Sequence, residues 1–326
     1  MSLDPAVAAV RLGVRRVLTR ADTGGSGEPV VVACSGGADS LALLAAAVFE
    51  ARPLSRHVVA ATVDHGLQEG SEAHTRRVVE QMAALGADET VSARVRVEAR
   101  GQGPEAAARE ARYAVLHEVA ERFGAPLVLL GHTRDDQAET VLLGLTRGSG
   151  TRALAGMRPG FDVFARPLLD VTRAQTEAAC TAEDITWWRD PHNEDPRYTR
   201  ARVRHTVLPL LEEQLGPGVA ATLARTADQL REDAEALDAW AERASASGVP
   251  PVPELRRLPT AVRLRVLRGA ALAAGSPASE TFRVHVLALD DLVTGTVGGR
   301  RVQLPGHVTA YTEADTLRFA PTAVSG

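Results

Sequence analysis

VVVACSGGADSLALL (Val30–Leu44) passes without a break from a β-branched run into a helix-like apolar pattern, and its reading decides the fold. The spacing predicts a strand over Pro29–Ala33 and a helix over Ser40–Phe49. Between them, CSGGADS packs two glycines, two hydroxyls and a carboxylate into seven residues. Gly36 and Gly37 are expected to adopt backbone conformations closed to other residues and to turn N–H groups, with that of Ala38, toward an anion. Ser35 and Ser40 add hydroxyl donors, and the dipole of the following helix points its positive end into the loop. Asp39 would repel a phosphate unless a divalent cation lies between them. A tight turn capped by serine or aspartate is the plainer alternative. A nucleophile elbow is disfavoured because GxSxG is absent. On a strand–loop–helix, the whole string signals a pyrophosphate-binding loop.

Outward from this loop, short apolar runs alternate with longer helical patterns. Strands are predicted at His57–Val63, Thr90–Val97 and Pro126–Leu130, and helices at Glu72–Leu85, Pro104–Phe123 and Arg134–Leu145. Pro104 suits a first helical turn; Gly86 and Gly124 suit helix ends. The alternation predicts an α/β fold with a doubly wound, mostly parallel sheet. Ligands in such sheets lie beyond the carboxyl ends of the strands, so CSGGADS, VDHGL and GHTRDD should share one rim.

The 326 residues suffice for two domains. The texture changes after about Pro209, and we place a catalytic domain at 1–215 and a smaller, mainly helical domain at 216–326. The second begins with one long helix over 217–245, continues through the linker SASGVPPVPE to helices near 259–274 and 280–292, and ends in a small β-meander. The meander turns at Pro305–Gly306 and Glu313–Asp315. No run of 18 apolar residues predicts a membrane span, and the N-terminus reads as an amphipathic helix. Cys34 and Cys180 are far apart and form no CxxC, which argues against a disulfide framework, a zinc site or an iron–sulfur cluster. A cytoplasmic protein is expected. All 37 basic residues are arginine, which excludes Schiff-base chemistry and a phosphate-binding lysine. Formal net charge is −4, so no global basic field advertises nucleic acid.

SGGADS resembles the loop of the PP-loop ATP pyrophosphatases, which cleave ATP between its α and β phosphates and adenylate a substrate. Further motifs follow in order: TVDHGL (Thr62–Leu67), RGQGPEAAAREARY (Arg100–Tyr113), GHTRDDQAETVLLGLTRGSG (Gly131–Gly150), LAGM (Leu154–Met157), RPLL (Arg166–Leu169) and WWRDPHNEDPRYTRARVRHTVLPLL (Trp187–Leu211). Over residues 28–211 the ordered set resembles the tRNA(Ile)-lysidine synthetase family. The resemblance implies conversion of the wobble cytidine of tRNA(Ile) with anticodon CAU to lysidine, using ATP, magnesium and L-lysine, and it leaves a homodimer open.

Asp136 and Glu139 are spaced i, i+3, so both carboxylates share a helix face. They suit a lysine ammonium or a magnesium ion held with Asp39; a solvated helix N-terminus is the alternative. Arg112 could grip the carboxylate of the lysine substrate in a fork, and His132 could meet phosphate or simply complete a turn. The resemblance implies roles in ATP and lysine handling for Arg112, His132, Asp136 and Glu139, and places Asp64 and His65 near the adenine.

RYTRARVR (Arg197–Arg204) holds four arginines and no acid. It fits either a helix surface or an RNA-backbone contact. Arg200, Arg204, Asp190 and Asn193 match the family pattern, whereas Ala201 and His192 stand where asparagine and serine are usual. A second basic stretch, Arg256–Arg268, offers another RNA face. Three rivals stand beside this reading. A tRNA thiolase would need paired cysteines, an amidotransferase-linked synthetase would need a glutaminase, and a non-catalytic nucleotide- or tRNA-binding module would not need the three acids.

Overall fold

The computed structural model describes residues 3–20, 27–64, 71–95, 104–147, 151–190, 194–295 and 301–322. They form two compact units, Met1–Asp228 and Gln229–Gly326. The division falls within the long helix Val219–Ala244, past the boundary expected at 215/216, because the first half of that helix packs into the first unit.

The chain enters through helix α1 (Pro5–Leu18), whose Asp4 carboxylate accepts from the Ala6 N–H at 2.8 Å and caps it. Val7, Val10, Val14 and Leu18 form its buried stripe. There follow β1 (Val30–Ala33), α2 (Ala38–Ala51), β2 (Val58–Asp64), α3 (Ser71–Ala84), β3 (Glu89–Arg94), α4 (Pro104–Phe123), β4 (Leu127–Leu129) and α5 (Arg134–Arg147). Each of these elements was legible in the sequence. After the short α6 (Thr151–Leu154) come a hairpin of β5 (Gly160–Phe161) and β6 (Phe164–Ala165), then α7 (Arg173–Ala182) and α8 (Thr199–Arg202). A π-helical turn over Val203–Val207 continues α8 into α9 (Leu208–Leu215) and on to α10 (Val219–Ala244). The sequence reading left the hairpin, α6, α7, α8 and α9 unassigned.

The sheet runs β3-β2-β1-β4-β6-β5, with every pairing parallel except β5 against β6. Side chains alternate across it. Val30, Val32, Val58, Ala60, Leu127 and Leu129 join the core that includes α1 and α2. Val31, Val59, Val128 and Leu130 join the core with Leu116 and Ala120 of α4 on the other face. Burial on both faces is why these strands read as continuous apolar runs. Strand order reverses between β1 and β4, so the segments after them flank the topological switch point where α/β sheets take ligands.

The second unit continues α10 into α11 (Val252–Arg257), α12 (Thr260–Ala273) and α13 (Arg283–Thr294), then an antiparallel meander of β7 (Arg301–Leu304), β8 (Val308–Glu313) and β9 (Thr316–Pro321). Leu255, Leu267, Leu289, Val293 and Ala310 are completely buried at its centre. Two expectations are corrected. The linker SASGVPPVPE gives way to α11 at Val252, since prolines in a first helical turn begin helices rather than break them. The basic stretch Arg256–Arg268 is spent largely on its own unit: Arg256 caps α13 at the Val293 carbonyl (2.7 Å), Arg263 pairs with Asp290 (2.6 Å) and Arg265 with Asp238 (2.6 Å). Among the described residues no helix is long and apolar enough to cross a membrane.

Candidate active site

The turn Cys34–Gly37 joins β1 to α2. The Ser40 hydroxyl donates to the Gly37 carbonyl at 2.9 Å and accepts from the Ser35 N–H at 3.1 Å, so it ties the loop closed. This is a correction to its reading as a free donor: its proton is already engaged. Gly36 has φ +81°, and a Cβ there would lie 2.6 Å from Val78 Cγ2. Gly37 differs from expectation. Its φ of −81° is ordinary, and an added Cβ would meet only Ser35 Oγ, at 3.7 Å. Its glycine therefore keeps the loop surface open and relieves no strain. No side chain caps α2 at Gly37, which leaves the N-terminal end of that helix facing the loop. Gly131, at the end of the neighbouring β4 segment, allows that chain to approach the backbone of Asp39 and Ser40, 3.2–3.3 Å from where its Cβ would be.

Beside the loop stands a bank of three carboxylates and three guanidiniums. Asp39, in the first turn of α2, accepts a short hydrogen bond from the Thr176 hydroxyl and lies 3.5 Å from Arg173 Nε. Burial raises its carboxyl to about 6, against the pull of Arg173 and Thr176. Asp136 accepts from the Thr133 N–H at 2.8 Å and faces Arg173 (3.0 Å) and Arg204 (3.2 Å). Burial would raise it, but Arg173 and Arg200 outweigh burial and hold it below the usual carboxylate range. Glu139, fully buried one helical turn on, takes Arg204 Nε at 2.6 Å and Arg200 Nε at 2.8 Å. The π-helical turn after α8 accompanies this inward aim, as such irregular turns commonly do at functional sites. An open pocket is lined here by Asp135, Glu139, Arg173, Arg204, Leu208 and Glu212.

Near it lies a second bank, a cluster of three arginines, Arg109, Arg112 and Arg166, with a neutral His132. On α4, Arg109 Nη2 donates to the Tyr113 hydroxyl at 3.0 Å; Arg166, after β6, donates to the same oxygen at 3.2 Å and to the Arg158 carbonyl at 2.6 Å. Arg112 Nε, Arg166 Nε and His132 Nδ1 are buried with no hydrogen-bond partner among the described residues. Burial, then the neighbouring Arg109, Arg200 and Arg166, lowers the Arg112 guanidinium. Burial also pulls His132 down to about 3; Asp136 opposes that, while Arg166 and Arg112 reinforce it. Buried donors crowded by like charge fit an incoming anion, since an unpaired buried polar group is otherwise costly.

The structure thus brings Asp39, Asp136, Glu139, Arg200 and Arg204 together and sets His132 near Asp136 and Arg112 near Arg200. Asp64 sits at the end of β2, where its carboxylate accepts from Ser71 Oγ at 3.3 Å. His65 and Asn193 lie outside the described residues. Arg173 and Thr176 of α7, and the pairing of Arg166 with Tyr113, escaped the sequence reading. A signal for α7 existed: Thr172-x-x-Gln175 is a capping box, with both reciprocal hydrogen bonds formed. Among the described residues no group of three His, Cys, Asp or Glu could hold a metal. Magnesium does not need one, because it commonly takes one or two carboxylates and completes its shell with phosphate oxygens and water. Asp39, a carboxylate beside the loop whose ionised form burial disfavours, fits that demand.

Comparison with known proteins gives the family. A PP-loop domain family matches residues 14–211, and a TilS substrate binding domain family matches residues 251–318. The tRNA(Ile)-lysidine synthase of Streptomyces coelicolor is 47% identical, spanning 97% of this chain and 99% of the relative. That of Thermobifida fusca is 51% identical over 93% and 94%, and that of Salinispora arenicola 50% identical over 97% of each. Among solved structures, the U34-tRNA thiolase NcsA from Methanococcus maripaludis with its 4Fe–4S cluster superposes with a TM-score of 0.58, covering 70% of this chain and 80% of that one. Its 18% identity makes this a likeness of fold. Half-identical over nearly its whole length to several synthases, the chain belongs to the tRNA(Ile)-lysidine synthase family.

Proposed function

We propose that this protein is a cytoplasmic ATP-dependent ligase that joins L-lysine to carbon 2 of the wobble cytidine of tRNA(Ile) with anticodon CAU. Lysidine formation would switch decoding from AUG to AUA. The observation that carries this reading is the near-full-length likeness to synthases of that name. The charge layout supports it. The Ser35–Ser40 backbone and the end of α2 suit a pyrophosphate, Asp136 and Glu139 suit the ε-ammonium of lysine, and Arg112 suits its carboxylate. His132, kept neutral, can donate a hydrogen bond near the phosphates without adding charge. Asp39, with Asp136, would hold magnesium, which when bound neutralises phosphate charge. The segment of Asp64 and His65 would face the adenine.

In the first step the cytosine carbonyl oxygen at carbon 2 attacks the α-phosphorus, and the bond to pyrophosphate breaks. In the second the ε-amine, having shed its ammonium proton, attacks carbon 2; the bond to the adenylate oxygen breaks and AMP leaves. The loop amides favour the developing charge of the first leaving group, and the two banks align the lysine for the second step. Arg200 and Arg204, with Asn193, would contact tRNA phosphate. That role requires both arginines to exchange Glu139 for phosphate, which in turn frees Glu139 for the ammonium.

The test is incubation of the purified protein with ATP, labelled lysine and unmodified transcripts of tRNA(Ile) and tRNA(Met), both bearing CAU. Label should enter only tRNA(Ile), with one AMP per lysine. ATP cleavage without transfer of lysine to any tRNA would overturn the reading. Thiolation, the activity of the structural neighbour, finds little support here, since Cys34 and Cys180 are both buried and unpaired.

A further inference from the structure

We infer that His74 and Trp188 are positioning residues that set the direction of the phosphate-binding amides; the inference rests on the functional reading above. A loop that grips phosphate must turn N–H groups inward and carbonyls outward, because a carbonyl oxygen aimed at an anion repels it. In a trans peptide the C=O of one residue and the N–H of the next point to opposite sides of one plane, and the protein has no cis bond among its described residues. Whatever holds a carbonyl therefore aims the following amide.

Two loop carbonyls are held from outside the loop. The His74 Nε2 lies 3.2 Å from the Ser35 carbonyl oxygen; that oxygen can only accept, so the ring donates. The Trp188 backbone N–H donates to the Gly36 carbonyl at 3.0 Å. The first contact fixes the Gly36 N–H, and the second fixes the Gly37 N–H. The two holders support each other: the His74 and Trp188 rings pack with centroids 3.9 Å apart. Gln81, further along α3, donates to the Thr186 carbonyl at 2.6 Å and pins the segment that carries Trp188. His74 and Val78 also close over Gly36, 3.1 and 2.6 Å from where a Cβ would stand, so α3 fits only a glycine there. No other described contact from His74 explains its place at the loop, and neither His74 nor Gln81 was singled out by the sequence.

The test is calorimetric titration with α,β-methylene-ATP, pyrophosphate and adenosine, on the wild-type protein and on His74→Ala, His74→Gln and Trp188→Phe. Losing one hydrogen bond and its packing should weaken α,β-methylene-ATP and pyrophosphate roughly three- to tenfold in His74→Ala and leave adenosine unchanged. His74→Gln, which keeps an N–H donor, should recover most of the loss. Trp188→Phe, which keeps both ring and backbone donor, should bind within about twofold of wild type. Should His74→Ala fail to fold, His74→Gln carries the test against His74→Leu, which fills space without donating. Wild-type phosphate affinity in the non-donating variant would overturn the inference, as would an equal loss for adenosine. If the wild-type protein binds neither α,β-methylene-ATP nor pyrophosphate, the functional reading itself fails.

Discussion

Glu139 is fully buried and Arg112 half-buried at the same rim, yet Glu139 is met by Arg200 and Arg204, whereas Arg112 has a buried Nε with no partner among the described residues. The carboxylate bank is balanced, three acids against three arginines, and each member depends on the others. The arginine cluster is crowded by its own charge, which Tyr113 offsets at Arg112 and Arg166 and Asp136 offsets at His132. A balanced cluster contributes to the fold and must be opened before a substrate cation enters. An unbalanced one is held in place by the fold and gains when an anion arrives. Stability and binding should therefore respond in opposite ways in the two banks.

The largest effect is expected from Glu139→Gln. It leaves the half-buried Arg200 and Arg204 with Asp136 as their remaining acid, and breaking an ion pair whose carboxylate is fully buried costs up to about 3–5 kcal/mol. Chemical denaturation should show that loss, together with loss of lysidine formation; wild-type stability would mean that the arginines find other partners without cost.

Asp39→Asn sharpens the contrast within the same bank. Burial already disfavours the ionised form of Asp39, so removing the charge should leave the melting temperature unchanged or raised. Activity should nonetheless fall by about two to three orders of magnitude, because the loop loses its cation ligand and the phosphate charge goes unneutralised. Turnover near wild type would remove Asp39 from the magnesium assignment.

A smaller effect separates the banks by pH. His132 has a folded value of about 3 against an ordinary 6.5. Between those values the unfolded chain binds a proton that the folded protein refuses, so stability falls as pH drops through 6.5 toward 3. Asp39 acts in the other direction: its value of about 6 against 3.8 makes the folded protein take up its proton first, which adds stability between pH 6 and 3.8. His132→Gln should therefore lose less unfolding free energy than wild type on going from pH 7.5 to pH 5, by at most ~1.4 kcal/mol per pH unit, as denaturant titration at each pH will show. Identical pH dependence would mean that His132 titrates normally in the fold.

What the sequence makes legible here follows from how far each signal reaches. Of the four strands before α5, β1, β2 and β4 are β-branched or apolar runs that both faces of the sheet bury, so a local window suffices; the edge strand β3 is only partly covered and reads from its β-branched residues and bounding charges. The loop is a contiguous string, and the i, i+3 acids of α5 share one helix face. The partners of Asp39 arrive 137 residues later in the chain, and no periodicity links Thr176 to Asp39. The arginines of RYTRARVR read as a surface or an RNA contact, because the sequence does not show that a π-helical turn accompanies their approach to Glu139. Gly36 and Gly37 look alike in the sequence and differ only once α3 is seen to close over one of them. The hairpin at 160–165 has two residues in each strand, too few for an alternating pattern to register.

The most direct test of the two-bank account compares L-lysine with 1,5-diaminopentane, which keeps the reacting amine and lacks the carboxylate, in wild type and Arg112→Ala. The Arg112 fork should give wild type a preference for lysine of roughly ten- to a hundredfold in kcat/KM, from a charge-assisted interaction of about 1.5–3 kcal/mol. Arg112→Ala should lose that preference and keep wild-type stability, because no ion pair is broken. An undiminished preference for lysine in Arg112→Ala would contradict the account and move the substrate's carboxylate away from the cation bank.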